Sequence, residues 1–206
     1  MMRLCLCLLA MSWLWATPVS ARMDGCTKDQ ELTVRNAISD AKRLVVTAAA
    51  NVRDDEIFER WFGKYSPASE ERVRANLKSI ARGIRTGAVT ARCARISPQD
   101  CEVGTYAYVF ADEEYVLNIC PAFFRQPFMS FLRPGTERSD NGSKAGTIVH
   151  EVSHFEVIAS TEDHCYSRTD CSEMAKRSPA RAIENADSYQ YFVEDVTLYA
   201  SEQRQQ

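Results

Sequence analysis

A helix-rich α+β fold with a small antiparallel sheet is the architecture this sequence predicts. Three observations carry it. Apolar residues recur at helical spacing through the first third of the chain. The middle switches to short runs of β-branched and aromatic residues. The last third returns to helical spacing, with caps and breakers at its ends. The chain has 206 residues, 45% hydrophobic and 26% charged. That is enough for one domain with its own core and short for two.

The elements follow in order. From Lys28 to about Val52, Leu32, Val34, Ala37, Ile38, Ala41, Leu44 and Val45 fall on one helical face. "DDEIFERWFGKY" opens on acids, which favour the positive end of a helix dipole, and reads as a short helix. "SPASEERVRANLKSIARGIRTG" offers Ser66 as a cap, Pro67 in the first turn and Gly87 as a stop. "VTARCARI" and "TYAYVFADEEYVLNIC" read as strands, with Asp112-Glu113 at a hairpin turn. "FMSFLR" reads as core or cleft wall. "RPGTERSDNGSKAG", residues 133 to 146, reads as an exposed loop. A helix is predicted from about Ala145 to Ala159, a loop around Cys165 and Cys171, and a final long helix from Pro179.

The first 21 residues have a different character. Arg3, an apolar run from Leu4 to Ala16, and the small ending Val19-Ser20-Ala21 have the layout of a secretory signal peptide, cleaved before Arg22. The expected organisation is therefore a leader at 1–21 and a single domain at 22–206. The expected location is secreted, periplasmic or extracellular, with no membrane association after cleavage and no pro-segment. Of the eight cysteines, Cys5 and Cys7 lie in the leader. The remaining six suit an oxidising compartment. Adjacency favours Cys165–Cys171 and Cys101–Cys120, which leaves Cys26–Cys93. A structural zinc site is disfavoured, because there is no C-x-x-C pair. The net charge of −3 gives no electrostatic footprint for nucleic acid. A monomer is expected.

The chemistry is concentrated in "GTIVHEVSHFEVIASTEDHCY", which holds all three histidines of the chain: His150, His154 and His164. His150, Glu151 and His154 form H-E-x-x-H. On a helix, positions i and i+4 share a face, so both imidazoles can reach one ion while Glu151 lies beside them. A catalytic zinc takes three protein ligands and keeps a fourth position open. The metal lowers the pKa of water, and a nearby carboxylate takes its proton.

Several residues compete for the third ligand. The metzincin pattern needs a histidine where this chain has Ser160. His164 lies off that pattern. Glu184 is conceivable as a gluzincin-type ligand, although the usual N-E-x-x-S-D order is absent. Asp163, in "STEDHCY", is the remaining candidate.

"HEVSHF…STEDHCY" resembles the aspzincin signature, H-E-x-x-H followed by G-T-x-D-x-x-Y, and "ENADSYQYF" resembles the N-A-D-x-x-x-Y-F segment of the peptidyl-lysine metalloendopeptidase branch, relatives of deuterolysin. The likeness is strongest from Gly146 to Glu194. It is weaker upstream, through "ICPAFF" and the positions of Cys26, Cys93, Cys101 and Cys120. It implies a zincin-like metalloprotease domain with an H-E-x-x-H active-site helix, one Zn2+ and a protein or peptide substrate. It further implies His150, His154 and Asp163 as metal ligands, Glu151 as general base, and Tyr166 as a partner of the scissile carbonyl or oxyanion. Asp187 falls at an acid that the family uses in its pocket for a substrate lysine.

This chain departs from the family pattern twice. The glycine before the threonine is Ser160, and the second acid of the lysine pocket is Gln190. Cleavage on the amino side of lysine is the family expectation, which Gln190 weakens. Two alternatives stand beside it: a peptidase of broader preference, and a secreted binding or effector protein on a zincin scaffold with little turnover.

Overall fold

The computed structural model describes residues 21–85, 89–97, 99–133 and 136–203. The leader therefore lies outside the described residues except for Ala21, as does the expected stop at Gly87. The elements in chain order are strand β1 (Arg22–Asp24), helices α1 (Lys28–Ala50), α2 (Glu56–Phe62) and α3 (Pro67–Arg85), and strands β2 (Thr90–Cys93), β3 (Ala107–Tyr108) and β4 (Val116–Ile119). Then follow helices α4 (Glu137–Asp140), α5 (Lys144–His154), α6 (Arg168–Arg177), α7 (Pro179–Ile183) and α8 (Ala186–Gln203).

Helix α1 begins at a capping box, in which Thr27 and Gln30 exchange side-chain to backbone hydrogen bonds. It buries Val34, Ala37, Ala41, Leu44, Val45 and Ala48. Leu32, grouped with that face by its spacing, is 60% exposed, because it sits in the first turn before the helix meets its neighbours. The buried stripe packs against α3, α5 and α8. Burying Leu44 alone contributes about 1.5–3 kcal/mol of apolar transfer. Asp55 caps α2 by accepting from the backbone N–H groups of Ile57 and Phe58. Helix α2 ends at Gly63, where φ is +76° and a side chain would meet Ala175 O and the Pro179 ring.

The sheet is mixed rather than antiparallel. Its order is β1-β2-β4-β3; β1 pairs with β2 and β2 with β4 in parallel, and only β3 against β4 is antiparallel. The β3–β4 hairpin was readable from its alternating residues. β1 is too short to show a period, and α3 supplies a crossover that makes parallel pairing with β2 possible. All three expected disulfides form: Cys26–Cys93, Cys101–Cys120 and Cys165–Cys171. The first ties the end of β1 to β2.

Three further expectations are corrected. The segment expected as an exposed loop contains α4 and the buried first turn of α5. Residues 168–177 around Cys171 form α6 rather than a loop. The final helix is broken at Glu184–Asn185, where Glu162 N–H donates to Glu184 O (2.8 Å) and Ala186 N–H donates to Glu162 O (3.0 Å). No helix among the described residues is long and apolar enough to cross a membrane.

Candidate active site

Helix α5 holds the centre of the site and is fixed from both ends. Ser143 caps it by accepting from Gly146 N–H at 2.9 Å. Glu194 on α8 accepts from the N–H and the hydroxyl of Ser143 at 2.7 and 2.8 Å. Gly146 permits this, because a methyl group there would collide with Glu194 Oε1. Burial pushes the Glu194 carboxyl up to about 7, against the pull of Arg168 and Ser143. Arg168, at the start of α6, closes the arrangement. It donates to Asp195 at 2.6 Å, to Glu194 at 2.8 Å and to Ser139 O at 2.9 Å, and lies over the Tyr191 ring.

The helix ends at His154, five residues before its expected end. Phe155 leaves helical geometry, and its carbonyl gathers the N–H groups of Ile158, Ala159 and Ser160. The chain then folds back. Thr161 N–H donates to Ser153 O at 3.1 Å, and the Ser153 and Thr161 hydroxyls meet at 2.6 Å. Ser160 sits at φ +49°, in the left-handed region that glycine occupies without strain. That conformation gives a physical reason for the glycine in the related pattern.

Beyond the reversal, Asn185 fixes the returning segment. It is fully buried, and its Oδ1 accepts from His164 N–H (2.8 Å) and Cys165 N–H (3.1 Å). Its Nδ2 donates to Ser188 Oγ at 3.3 Å. With the Glu162 pairing on one side and Asn185 on the other, Asp163 is held under α5.

These constraints bring His150, His154 and Asp163 together. The His150 Nδ1–H donates to Asp187 Oδ1 at 2.7 Å, and the His154 Nδ1–H donates to Thr161 O at 2.8 Å. A carbonyl oxygen can only accept, so the lone pair of His154 lies on Nε2; the carboxylate places that of His150 on Nε2 in the same way. The two Nε2 atoms face each other at 3.1 Å, with Asp163 Oδ1 at 3.3 Å from one and 3.5 Å from the other. Three acceptors therefore converge on one point. Ligands about 2.0–2.2 Å from a tetrahedral zinc lie roughly 3.3–3.6 Å from each other, so the donor set fits such an ion.

With a proton as the only cation, the same crowding shows in the ionisation. Burial opposes charge on His150, yet Asp163 and Asp187 hold its pKa well above the ordinary histidine value. Burial also opposes charge on Asp163, but His150 pulls its carboxyl down to about 2. Burial lowers His154, and His150 lowers it further.

Glu151 lines the same cleft, of about 680 Å³, beside Tyr166, Asp187, Gln190 and Tyr191. Burial raises its carboxyl to about 7, with Asp163 and Asp187 adding to the rise and His150 opposing it. Tyr166 is 60% exposed at the cleft edge, with its hydroxyl near the Asp163 carboxylate. Partial burial and that acceptor raise its pKa, so the phenol stays protonated and can donate.

The other candidates fall elsewhere. Glu184 is exposed and gives its backbone carbonyl to the Glu162 pairing. His164 accepts from Arg181 through Nδ1 at 3.3 Å and stays outside the ligand cluster. Asp187 and Gln190 line the cleft, but both Asp187 oxygens are engaged: Oδ1 by His150, and Oδ2 by Ser167 N–H at 3.2 Å. The sequence reading missed Thr161, Asn185 and Arg168. Thr161 and Asn185 did stand in the quoted family patterns, as the threonine of G-T-x-D and the asparagine of N-A-D, but without a role.

The sequence model of a family described as "Lysine-specific metallo-endopeptidase", the aspzincins, matches residues 47–194. This chain belongs to that family. Among aspzincin relatives, an "Extracellular protease" of Aeromonas hydrophila is 29% identical over 175 residues, which is 83% of this chain and 46% of that protein. A "Peptidyl-Lys metalloendopeptidase" of Pleurotus ostreatus is 28% identical over 176 residues, covering 83% of this chain and 95% of its own length. One of the same name from Armillaria mellea is 26% identical, covering 84% of this chain and 46% of its own. The chain thus spans about half of the Aeromonas and Armillaria proteins. The solved structure of a zinc peptidase from Grifola frondosa has the same fold: the TM-score is 0.70 at 24% identity, over 82% of this chain and 97% of that one. The aspzincin family, as metallo-endopeptidases, implies a metal, and the cluster of His150, His154 and Asp163 is the donor set available for it among the described residues.

Proposed function

We propose that this chain is a secreted zinc metalloendopeptidase with His150, His154 and Asp163 as its metal ligands and Glu151 as its general base. The observation that carries this reading is the convergence of three acceptor atoms within 3.1–3.5 Å, each imidazole committed through its other nitrogen. Family membership supports it independently. Three disulfides and the printed name of the Aeromonas relative support secretion.

A zinc ion bound there supplies Lewis acidity, polarising the scissile carbonyl and making water more acidic. Glu151, on the same helix face, takes a proton from water and returns it to the departing amine. Burial, which raises its carboxyl above the ordinary glutamate value, favours that double duty by keeping it able to hold and return a proton. Tyr166, a protonated phenol at the cleft edge, donates to the carbonyl oxygen as negative charge develops there. Asp187 keeps the His150 lone pair on Nε2 and the ring in its plane.

On specificity, the reading favoured here is a preference broader than lysine. Gln190 is neutral where the family pattern has an acid, and Asp187 is occupied by His150 and Ser167. A lysine ammonium would find little uncommitted negative charge in that part of the cleft. The test is to digest an unfolded protein and map the cut sites, with and without a chelator, and with Glu151→Gln. Zinc-dependent cuts before varied residues, absent in Glu151→Gln, support the reading. Bound zinc with no cleavage of any substrate would support the binding-protein alternative, and cuts confined to lysine would restore the family preference.

A further inference from the structure

The cleft does not end at the metal-ligand cluster. A second chamber of about 550 Å³ adjoins it and shares Gly104, Tyr106 and Asn141 as common walls. The two chambers differ in charge. The first is lined by the carboxylates of Asp140, Glu151, Asp163 and Asp187, with no lysine or arginine. The second carries Arg125 and no acid, with Phe131 and Pro127 as apolar walls. Arg125 is exposed, and among the described residues no carboxylate pairs with it. Phe131 is 61% exposed.

Arg125 is also held in a fixed relation to the ligand cluster. It ends a 3₁₀ turn, Pro121–Arg125. The next residue, Gln126, is buried and pins that turn to the start of α5: its Oε1 accepts from Thr147 at 3.0 Å, its Nε2 donates to Asn141 O at 3.3 Å, and its carbonyl accepts from Lys144. Thr147 lies one helical turn before His150.

Resting on the peptidase reading above, we propose that this second chamber is a substrate subsite in which Arg125 binds a carboxylate of an extended peptide, a few residues from the cut. The carboxylate comes from an Asp or Glu side chain or from the peptide's own C-terminus. The guanidinium fork suits either, and the Phe131 ring supplies a flat wall for the adjoining aliphatic chain.

The test uses internally quenched peptides that differ only at positions flanking the cut: Glu against Gln at each position, and a free C-terminal acid against an amide. The wild-type zinc-loaded protein is compared with Arg125→Gln and Arg125→Lys. Glu at one position a few residues from the cut is expected to raise kcat/KM about threefold to fivefold over Gln, as an exposed ion pair provides. The gain should shrink with added salt, vanish in Arg125→Gln and survive in part in Arg125→Lys, while the rate on the Gln peptides stays unchanged. The acid-against-amide arm separates the two carboxylate sources. Anisotropy of the same labelled peptides on a Glu151→Gln background reads the charge preference without turnover, so a failure of the peptidase reading is distinguishable. Equal handling of Glu and Gln at every position, or an acid preference that persists in Arg125→Gln, overturns the proposal.

Discussion

Asp187 Oδ1 accepts the Nδ1–H of His150 at 2.7 Å, and this contact links the first turn of α8 to the helix that carries both imidazoles. The acid that resembles a lysine-pocket residue in sequence is therefore a partner of a metal-ligand candidate in space. Replacing it with Asn keeps the shape but offers an amide that can present N–H to Nδ1, which favours the wrong tautomer. Asp187→Asn should weaken zinc affinity about 10–100-fold, measured by competition with a chromophoric chelator. Unchanged zinc affinity combined with an altered cut-site preference would return Asp187 to the substrate pocket.

Glu151 should control the acid side of the pH profile. A base works only when ionised, so kcat/KM should fall as pH drops through its pKa. Burial holds that value up to about 7, and a dication beside it brings it down. The acid limb is accordingly expected below pH about 7, with zinc content measured at each pH to separate loss of the base from loss of the metal. Glu151→Gln should retain zinc and lose turnover by about 10²–10⁴-fold. A retained rate with an unshifted limb would remove Glu151 from the role of base.

Ser160 marks where the chain accepts backbone strain to bring Asp163 under α5. At φ +49° its Cβ crowds its own backbone. Ser160→Gly should relieve this and stabilise the fold by about 0.5–1 kcal/mol, read as a shifted midpoint in urea with an unchanged slope. Ser160→Ala should give no such gain, because it keeps the Cβ. Equal responses to the two substitutions would mean that the left-handed conformation is not what limits stability there.

How much of this was legible in the sequence depended on the range of the interactions. His150, Glu151 and His154 stood out because i and i+4 spacing on one helix is local. Leu44 and its companions on α1 were readable for the same reason. Two cysteine pairs followed from adjacency, and Cys26–Cys93 was the pair they left. What escaped was set by contacts between distant segments. The parallel pairing of β1 with β2 joins Met23 to Ala91, and no local period records it. The break in the last helix at Asn185 exists because residues 162–165 dock there. The early end of α5 comes from Thr161 returning to Ser153. Asp187 was placed by a motif register that locates a residue along the chain but does not say which way its oxygens point.

Arg168 tests whether the site depends on the buried charges beneath it. Its guanidinium holds Glu194 and Asp195, both almost wholly buried, and Glu194 in turn caps α5 through Ser143. Arg168→Met keeps much of the stem but leaves the buried Glu194 carboxylate without its cation, while Asp195 keeps Arg60 at 3.2 Å and the Trp61 Nε1–H at 2.9 Å. Removing one partner from a buried network of this kind costs about 3–5 kcal/mol, and the loss should grow as pH rises and Glu194 is forced to ionise. The neighbouring residue, Ser167, donates its N–H to Asp187, so the substitution should also loosen the hold on His150. Denaturation in urea at pH 5 and pH 8, with zinc affinity measured on the folded fraction, checks both effects. Substituting Glu194→Gln in the same background should recover part of the stability, because it removes the stranded charge while keeping an acceptor for Ser143. An Arg168→Met protein as stable as wild type at both pH values would show that Glu194 is neutral in the fold and that the cation is dispensable.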